Sequence, residues 1–190
     1  MRLVLASASP RRAELLRAAG FAFETLVVEI DETWRPGEEP AAYVRRLAME
    51  KSAKASAALH GPVGDDEPVI LGADTTVVFD REILGKPLDD RDAARMLRRL
   101  SGRRHEVLTG VSLRRNAVEA GRVETTAVDF MPLDEADVAW YVASGEGRDK
   151  AGGYAIQGLA SRFITRIEGS YSNVVGLPVH TVVALLRELR

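Results

Sequence analysis

The chain contains no cysteine, which excludes both a disulfide framework and a thiolate metal site. Its three histidines, His60, His105 and His180, stand far apart and lack zinc-ligand spacing. No apolar run reaches the roughly 20 residues that a membrane-spanning helix needs. The opening MRLVLASASPRR has too short an apolar run for a secretory signal, and its paired arginines follow that run instead of preceding it. A surplus of positive charge is missing as well: 26 Lys and Arg face 28 Asp and Glu, for a net charge of −2. General nucleic-acid binders carry a basic excess that displaces counterions, so nucleic acid is not the expected partner. Three nucleotide and hydrolase signatures are absent. No GxxxxGK[ST] run leads into Lys86, which is followed by Pro87; no GxGxxG follows a strand; and there is no GxSxG elbow. The expectation is a soluble, cytoplasmic protein without a membrane or nucleic-acid partner.

What is present is ordinary globular material. Of 190 residues, 46% are hydrophobic and 28% charged, enough for a sizeable core in one domain or one domain with two lobes. Leu3 to Ala6 reads as a buried strand, Pro10 to Ala19 as a helix stopped by Gly20, and Phe23 to Ile30 as a second strand. A loop over 35–40 precedes a long helix from Ala41 to Leu59, and His60 to Pro68 reads as a linker. Val69 to Phe79 reads as two apolar strand pieces around a polar centre. A helix over Asp89 to Leu100, capped by Asp89 or Asp90, comes next. Glu106 to Arg114 and Arg122 to Met131 alternate like antiparallel strands, followed by a helix over Glu135 to Ala143. Strand-like pieces over Ala155 to Ile167 and a C-terminal helix opened by Leu177 or Pro178 complete a mixed α/β or α+β pattern.

Four segments could carry chemistry. Ser7-Ala8-Ser9-Pro10-Arg11-Arg12 joins a strand to a helix. It is either a well-made helix start, with Ser9 as cap and Pro10 in the first turn, or an anion site. Free N–H groups, two hydroxyls and two guanidinium groups together match phosphate oxygens. Gly72-Ala73-Asp74-Thr75-Thr76 sets a carboxylate among apolar residues, which is costly without a partner. That partner is a metal ion, a catalytic water or nearby backbone. Asp31, Glu32, Lys51 and Lys86 are ordinary solvated charges when taken alone, but beside a triphosphate they would hold a divalent metal and offset charge. In Ala151 to Gly158, AGGYAIQG, the glycines permit close approach and Gln157 can pair with a base; the plain alternative is a glycine-rich turn with Tyr154 in the core.

In order, these segments resemble the Maf family of nucleotide pyrophosphatases. Ala6 to Arg12 matches the family's ASxSPRR, Gly72 to Thr75 its GADT, and Leu84 to Pro87 its LxKP. Ala151 to Gly158 matches AGxYxIQG, while Gly169 to Tyr171 and Val174 to Pro178 match GSY and VVGLP. The matches span essentially the whole chain. The resemblance implies a Maf/Ham1-like (ITPase-like) α/β fold: a mixed sheet with helices, formed as a single domain over 1–190 with two lobes around an elongated cleft. It implies a hydrolase acting on acid anhydrides that cuts dTTP and UTP, and with them modified pyrimidine triphosphates, to the monophosphate and pyrophosphate. Asp74 would be the general base or the holder of a metal-bound water. Ser7, Ser9, Arg11, Arg12, Lys51 and Lys86 would bind substrate. A divalent cation, Mg²⁺ or Mn²⁺, would sit on Glu32 and Asp74. Arg11, Thr75 and Gln157 match the three specificity positions of the dTTP/UTP subfamily. The sister subfamily acting on 7-methyl-GTP has a late motif richer in Ser, Lys and Glu than Tyr154 to Gln157. The rivals are that sister activity and a non-catalytic, nucleotide-binding regulator of cell division. A homodimer is compatible with the resemblance.

Overall fold

The computed structural model describes residues 2–59 and 67–189. The chain falls into two compact units. The first comprises Met1–Asp74, Thr109–Glu124 and Gly176–Arg190, and the second Thr75–Leu108 and Thr125–Val175. In chain order the elements are β1 (Leu3–Ala6), α1 (Pro10–Ala18), β2 (Glu24–Thr25), α2 (Pro40–Ala58), β3 (Val69–Phe79) and β4 (Glu82–Leu84). They continue with α3 (Asp90–Leu100), β5 (Arg104–Arg115), β6 (Val118–Phe130), α4 (Glu135–Ala143), β7 (Ile164–Glu168), α5 (Tyr171–Val175) and α6 (Val179–Glu188). The strand order is β2-β1-β3-β5-β6-β7, with β4 beside β3. β1 runs parallel to both β2 and β3, whereas the β3–β4 and β6–β7 pairs are antiparallel. The sheet is therefore mixed, as the sequence pattern predicts.

In the first unit, all four residues of β1 are buried, the signature of a parallel strand covered on both faces. Leu3 and Leu5 join Leu16 of α1, Leu71 of β3, and Val182 and Leu185 of α6 in one apolar cluster. Helix α2 buries Val44, Leu47, Ala48, Ser52 and Ala55, positions three or four apart that share one face. It lies very close to β3 at Gly72, where a Cβ would stand 2.2 Å from the carbonyl oxygen of Ala48. Only glycine fits there, and this contact brings the middle of α2 down onto the strand that carries Asp74 two residues later.

In the second unit, an apolar cluster combines Val77 and Phe79 of β3, Leu97 and Leu100 of α3, Phe130 of β6 and Tyr141 of α4 with Tyr154, Ile156 and Phe163. Helices α3 and α4 begin with aspartate caps. Asp89 accepts from the N–H of Asp92, and Asp134 and Asp137 form a reciprocal capping box.

Three sequence expectations need correction. The strand over Phe23 to Ile30 shrinks to Glu24–Thr25. Its partner β1 ends at Ala6, and the register Val4↔Glu24, Leu5↔Thr25 carries the pairing only as far as the Leu26 N–H, which donates to Leu5 O at 3.0 Å. The two strand pieces of Val69 to Phe79 are one continuous strand of 11 residues with Asp74 in the middle. Between Ala155 and Ile167 only β7 is a strand. Local bonds from Gly158 N–H to Ala155 O and from Ser161 N–H to Gly158 O curl the preceding residues into turns and a 3₁₀ helix, Leu159–Phe163. Of the linker expected over His60 to Pro68, residues 60–66 lie outside the described residues.

Candidate active site

The first unit gathers most of the charged candidates. Ser7 follows β1 and is buried, and Ser9 stands at the N-cap position of α1. The expected cap by the Ser9 side chain does not form. Instead, Ser7 Oγ accepts from the Ser9 N–H at 3.2 Å, because an oxygen two residues back already closes that turn. The Ser9 hydroxyl has no hydrogen-bond partner among the described residues. Pro10 occupies the first turn, so the early N–H groups of α1 have no intrahelical acceptor.

Arg11 and Arg12 sit side by side on α1 but differ in environment. Arg11 is half-buried, whereas Arg12 is only 8% exposed. Arg12 Nε donates to Gly176 O at 2.8 Å, and Nη1 donates to Ala73 O at 2.8 Å and Ser7 Oγ at 3.1 Å. Its guanidinium thus ties together the end of β1, the centre of β3 and the approach to α6, all within the first unit. Burial pulls its pKa below the ordinary arginine value, the Asp74 carboxylate opposes that, and Arg11 and Glu32 add smaller effects of opposite sign. These four charges form one electrostatic neighbourhood.

Asp74 lies in the middle of β3, and its side chain is 12% exposed. Its Oδ1 accepts from Lys51 Nζ at 2.7 Å. The same ammonium lies 2.7 Å from Glu32 Oε1. The two carboxylate oxygens are therefore separated by at most twice that distance. Lys51 reaches them because α2 rests on Gly72. Glu32 comes from the loop before α2, and its side chain is 53% exposed. Asp31, its neighbour, is turned away: Asp31 Oδ1 accepts from the Thr33 N–H at 2.9 Å, an Asx turn.

The Glu32 loop is held from α2 by two residues that the sequence did not single out. Tyr43 Oη donates to Glu32 O at 2.9 Å, and Arg46 makes a two-pronged pair with Glu38 at 2.6 and 2.8 Å while also donating to Thr33 O at 3.1 Å. Burial, followed by the Asp74 and Glu32 charges, pushes the Tyr43 phenol up to about 12. The available signal was spacing. Tyr43 and Lys51 are eight residues apart, a little over two helical turns, and so lie on one face of α2.

Two carboxylates that share one ammonium suit a hard divalent cation. Such ions take oxygen ligands, and Mg²⁺ in particular binds through one or two carboxylates and leaves room for waters and phosphates. No cluster of three or more ligating side chains occurs among the described residues; Glu32 and Asp74 are brought together only as a pair, through Lys51. Among the described residues, no helix is long and apolar enough to cross a membrane.

The second unit carries the other candidates. Thr75 follows Asp74 on β3 and is half-buried; its side chain faces opposite to that of Asp74, since successive strand residues alternate. Lys86 is exposed in the loop after β4. Gln157 is exposed at the tip of the turn closed by Gly158 N–H and Ala155 O, and no described residue hydrogen-bonds its amide. Tyr154, in contrast, is 5% exposed in the core and shares a 2.7 Å hydrogen bond with His105 Nε2. Within AGGYAIQG, then, the tyrosine lies in the core and the glutamine is exposed to solvent.

A model of the family described as Maf-like protein matches residues 2–189. The dTTP/UTP pyrophosphatase of Shewanella oneidensis is 52% identical over 193 residues, spanning 99% of this chain and 98% of that protein. A protein of the same name from Anaeromyxobacter sp. (strain Fw109-5) is 52% identical over 191 residues, spanning 98% and 88%. Another from Vibrio cholerae serotype O1 is 49% identical over 187 residues, spanning 98% and 97%. Among solved structures, the Ham1 protein of Staphylococcus aureus superposes with a TM-score of 0.56 at 12% identity, covering all of both chains. At that identity the likeness speaks for the fold alone, and it agrees with the Maf/Ham1-like sheet expected from the sequence.

Proposed function

The chain belongs to the Maf-like protein family, and on that footing we propose that it is a nucleoside triphosphate pyrophosphatase acting on dTTP and UTP. The observation that carries this reading is the Glu32–Lys51–Asp74 group next to buried Arg12 and the open first turn of α1. It provides a carboxylate for water and cationic groups for phosphate in one electrostatic neighbourhood. The relatives named above supply the pyrimidine preference, and Arg11, Thr75 and Gln157 are the residues assigned to it.

In the proposed reaction, Asp74 takes a proton from water as the water oxygen bonds to the α-phosphorus. The bridging bond from the α-phosphorus to the β-phosphate oxygen breaks, and pyrophosphate leaves with the electron pair. The monophosphate is the second product. The Ser7 and Ser9 hydroxyls and the first-turn N–H groups of α1 donate to phosphate oxygens, and Arg11, Arg12, Lys51 and Lys86 offset their charge. Arg12 does so from a fixed position, because its other contacts anchor it. Glu32 and Asp74 would hold a divalent cation, Mg²⁺ or Mn²⁺, which when bound polarises a phosphoryl oxygen and an adjacent water. With Tyr43 fixing the Glu32 loop, the chain's part is positioning and charge neutralisation.

The test is incubation with each common NTP and dNTP and with 7-methyl-GTP, plus Mg²⁺ or Mn²⁺, with products resolved by chromatography. Monophosphate and pyrophosphate from dTTP and UTP, with little from purines, are expected. Diphosphate and phosphate would move attack to the γ-phosphorus and overturn the mechanism. Selective cleavage of 7-methyl-GTP would place the chain with the sister activity, and binding without product would make it a nucleotide-binding regulator.

A further inference from the structure

The turn that presents Gln157 is fastened at both ends to the same pair of side chains. Tyr141 Oη, on α4, accepts from the Ala155 N–H at 3.0 Å and donates to Glu146 Oε2 at 2.8 Å. The other oxygen of that carboxylate, Oε1, accepts from the Leu159 N–H at 2.9 Å. Ala155 is the first residue of the turn and Leu159 the residue just beyond it, so Ile156, Gln157 and Gly158 are suspended between the two attachments. Gly158 makes room for the carboxylate: a Cβ there would lie 2.0 Å from Glu146 Oε1.

The pair is itself rigid. Tyr141 is 1% exposed and packs edge-on against Phe163 with ring centroids 5.8 Å apart. Lys150 Nζ donates to the Glu146 carbonyl at 2.6 Å, fixing the backbone that bears the carboxylate. Burial and the neighbouring carboxylate hold the Tyr141 phenol above its ordinary range, so the proton stays on Oη and the donation to Glu146 persists across the working pH range. Meanwhile, the Gln157 amide has no described partner, so nothing in the side chain's own contacts sets where it points. Its position is inherited from the turn.

We propose that Tyr141 and Glu146 are positioning residues for base selection, a two-residue clamp that fixes the turn presenting Gln157 to the pyrimidine. This rests on the substrate reading above, in which Gln157 meets the base. A polar group discriminates strongly only when it is held where the correct substrate satisfies it and the wrong one leaves it unpaired. Loosening the turn should therefore erode the choice between UTP and CTP more than the chemistry at phosphorus. Neither residue lies in a segment singled out from the sequence; only the fold connects Glu146 with Tyr141.

Tyr141→Phe keeps the ring and removes only the hydroxyl. It is expected to cut the UTP:CTP ratio of kcat/KM by about tenfold, mainly through KM for UTP, as loss of a fixed hydrogen-bonding group does. In a Gln157→Ala background, Tyr141→Phe should leave the ratio unchanged, because the two residues act through one contact. Glu146→Gln, which keeps an acceptor for Leu159, should retain more of the ratio than Glu146→Ala. Amide hydrogen exchange at Ala155 and Leu159 should accelerate by about tenfold in Tyr141→Phe. A uniform fall in turnover of UTP and CTP, or the same fall in ratio with and without Gln157, would overturn the clamp's role in selection. Unchanged exchange at Ala155 and Leu159 would overturn the clamp itself. A wild-type enzyme that does not separate UTP from CTP would defeat the Gln157 reading and the selective role built on it, and the exchange data would still decide whether the clamp exists.

Discussion

The two units treat their candidate site residues in opposite ways. In the first, Asp74, Lys51 and Arg12 are largely withdrawn from solvent, and each binds other parts of the protein. In the second, Lys86 and Gln157 are exposed on loops, and the order lies beneath them in an apolar, aromatic core and the Tyr141–Glu146 pair. The difference follows from the tasks proposed for each. Charges that stabilise a transition state are worth most when fixed in advance and shielded from water. A residue that reads a base must keep its hydrogen-bonding atoms open and borrow rigidity from its backbone. One unit organises charges by pairing them, and the other organises a loop by anchoring it.

The sharpest way to break this contrast is Asp74→Asn. Removing the carboxylate should cut kcat by about 10³-fold, within the range of a lost general base. The thermal midpoint should move by no more than about 5 °C, because Lys51 keeps Glu32. Near-normal turnover would remove Asp74 from the chemistry. Arg12→Ala comes next. It strands acceptors at Ser7, Ala73 and Gly176, and should lower unfolding stability by about 3 kcal/mol besides weakening triphosphate binding. If urea unfolding shows a loss below about 1 kcal/mol, Arg12 is a substrate cation and not an anchor.

The smallest effect belongs to the second unit and depends on pH. Burial lowers the His105 pKa from 6.5 to about 4, with Asp129 and the Arg103 backbone acting the other way. The unfolded chain therefore binds this proton more readily, and stability contributed by neutral His105 is lost as pH falls from about 6.5 towards 4. By pH 5 the loss should be about 2 kcal/mol relative to pH 7. His105→Gln should flatten the stability profile between pH 7 and 5, measured by denaturant unfolding at each pH. An equally steep profile in the variant would assign the acid sensitivity to carboxylates instead, such as Glu38, whose pKa is held down by its hydrogen bonds to Arg46.

Much of this was legible in the residues. Short apolar runs and helix-forming stretches marked β1, α1, α2, α3 and α4 closely, since burial periodicity and capping are local properties. The β2 region misled because strand pairing depends on the partner's length, which local pattern does not record. The candidate site was legible as a set of residue types and motifs. Which of Asp31 and Glu32 faces Lys51 was not, because adjacent carboxylates are equivalent on paper and a single Asx turn separates them in space. Tyr43, Tyr141 and Glu146 escaped notice for a related reason. Their importance lies in a backbone group that each one holds, and a tyrosine that anchors a loop reads no differently in sequence from one that fills a core.

The sequence by itself determined the family, the mixed α/β pattern and the cast of charged residues, because motif spacing and periodicity are written along the chain. The tertiary structure alone decided that Arg12 is buried as an anchor, that Lys51 is shared by two carboxylates, and that the Gln157 turn hangs from Tyr141 and Glu146. Each of those depends on distances between residues remote in sequence, fixed by close packing such as that of α2 on Gly72, and only a folded core sets such distances.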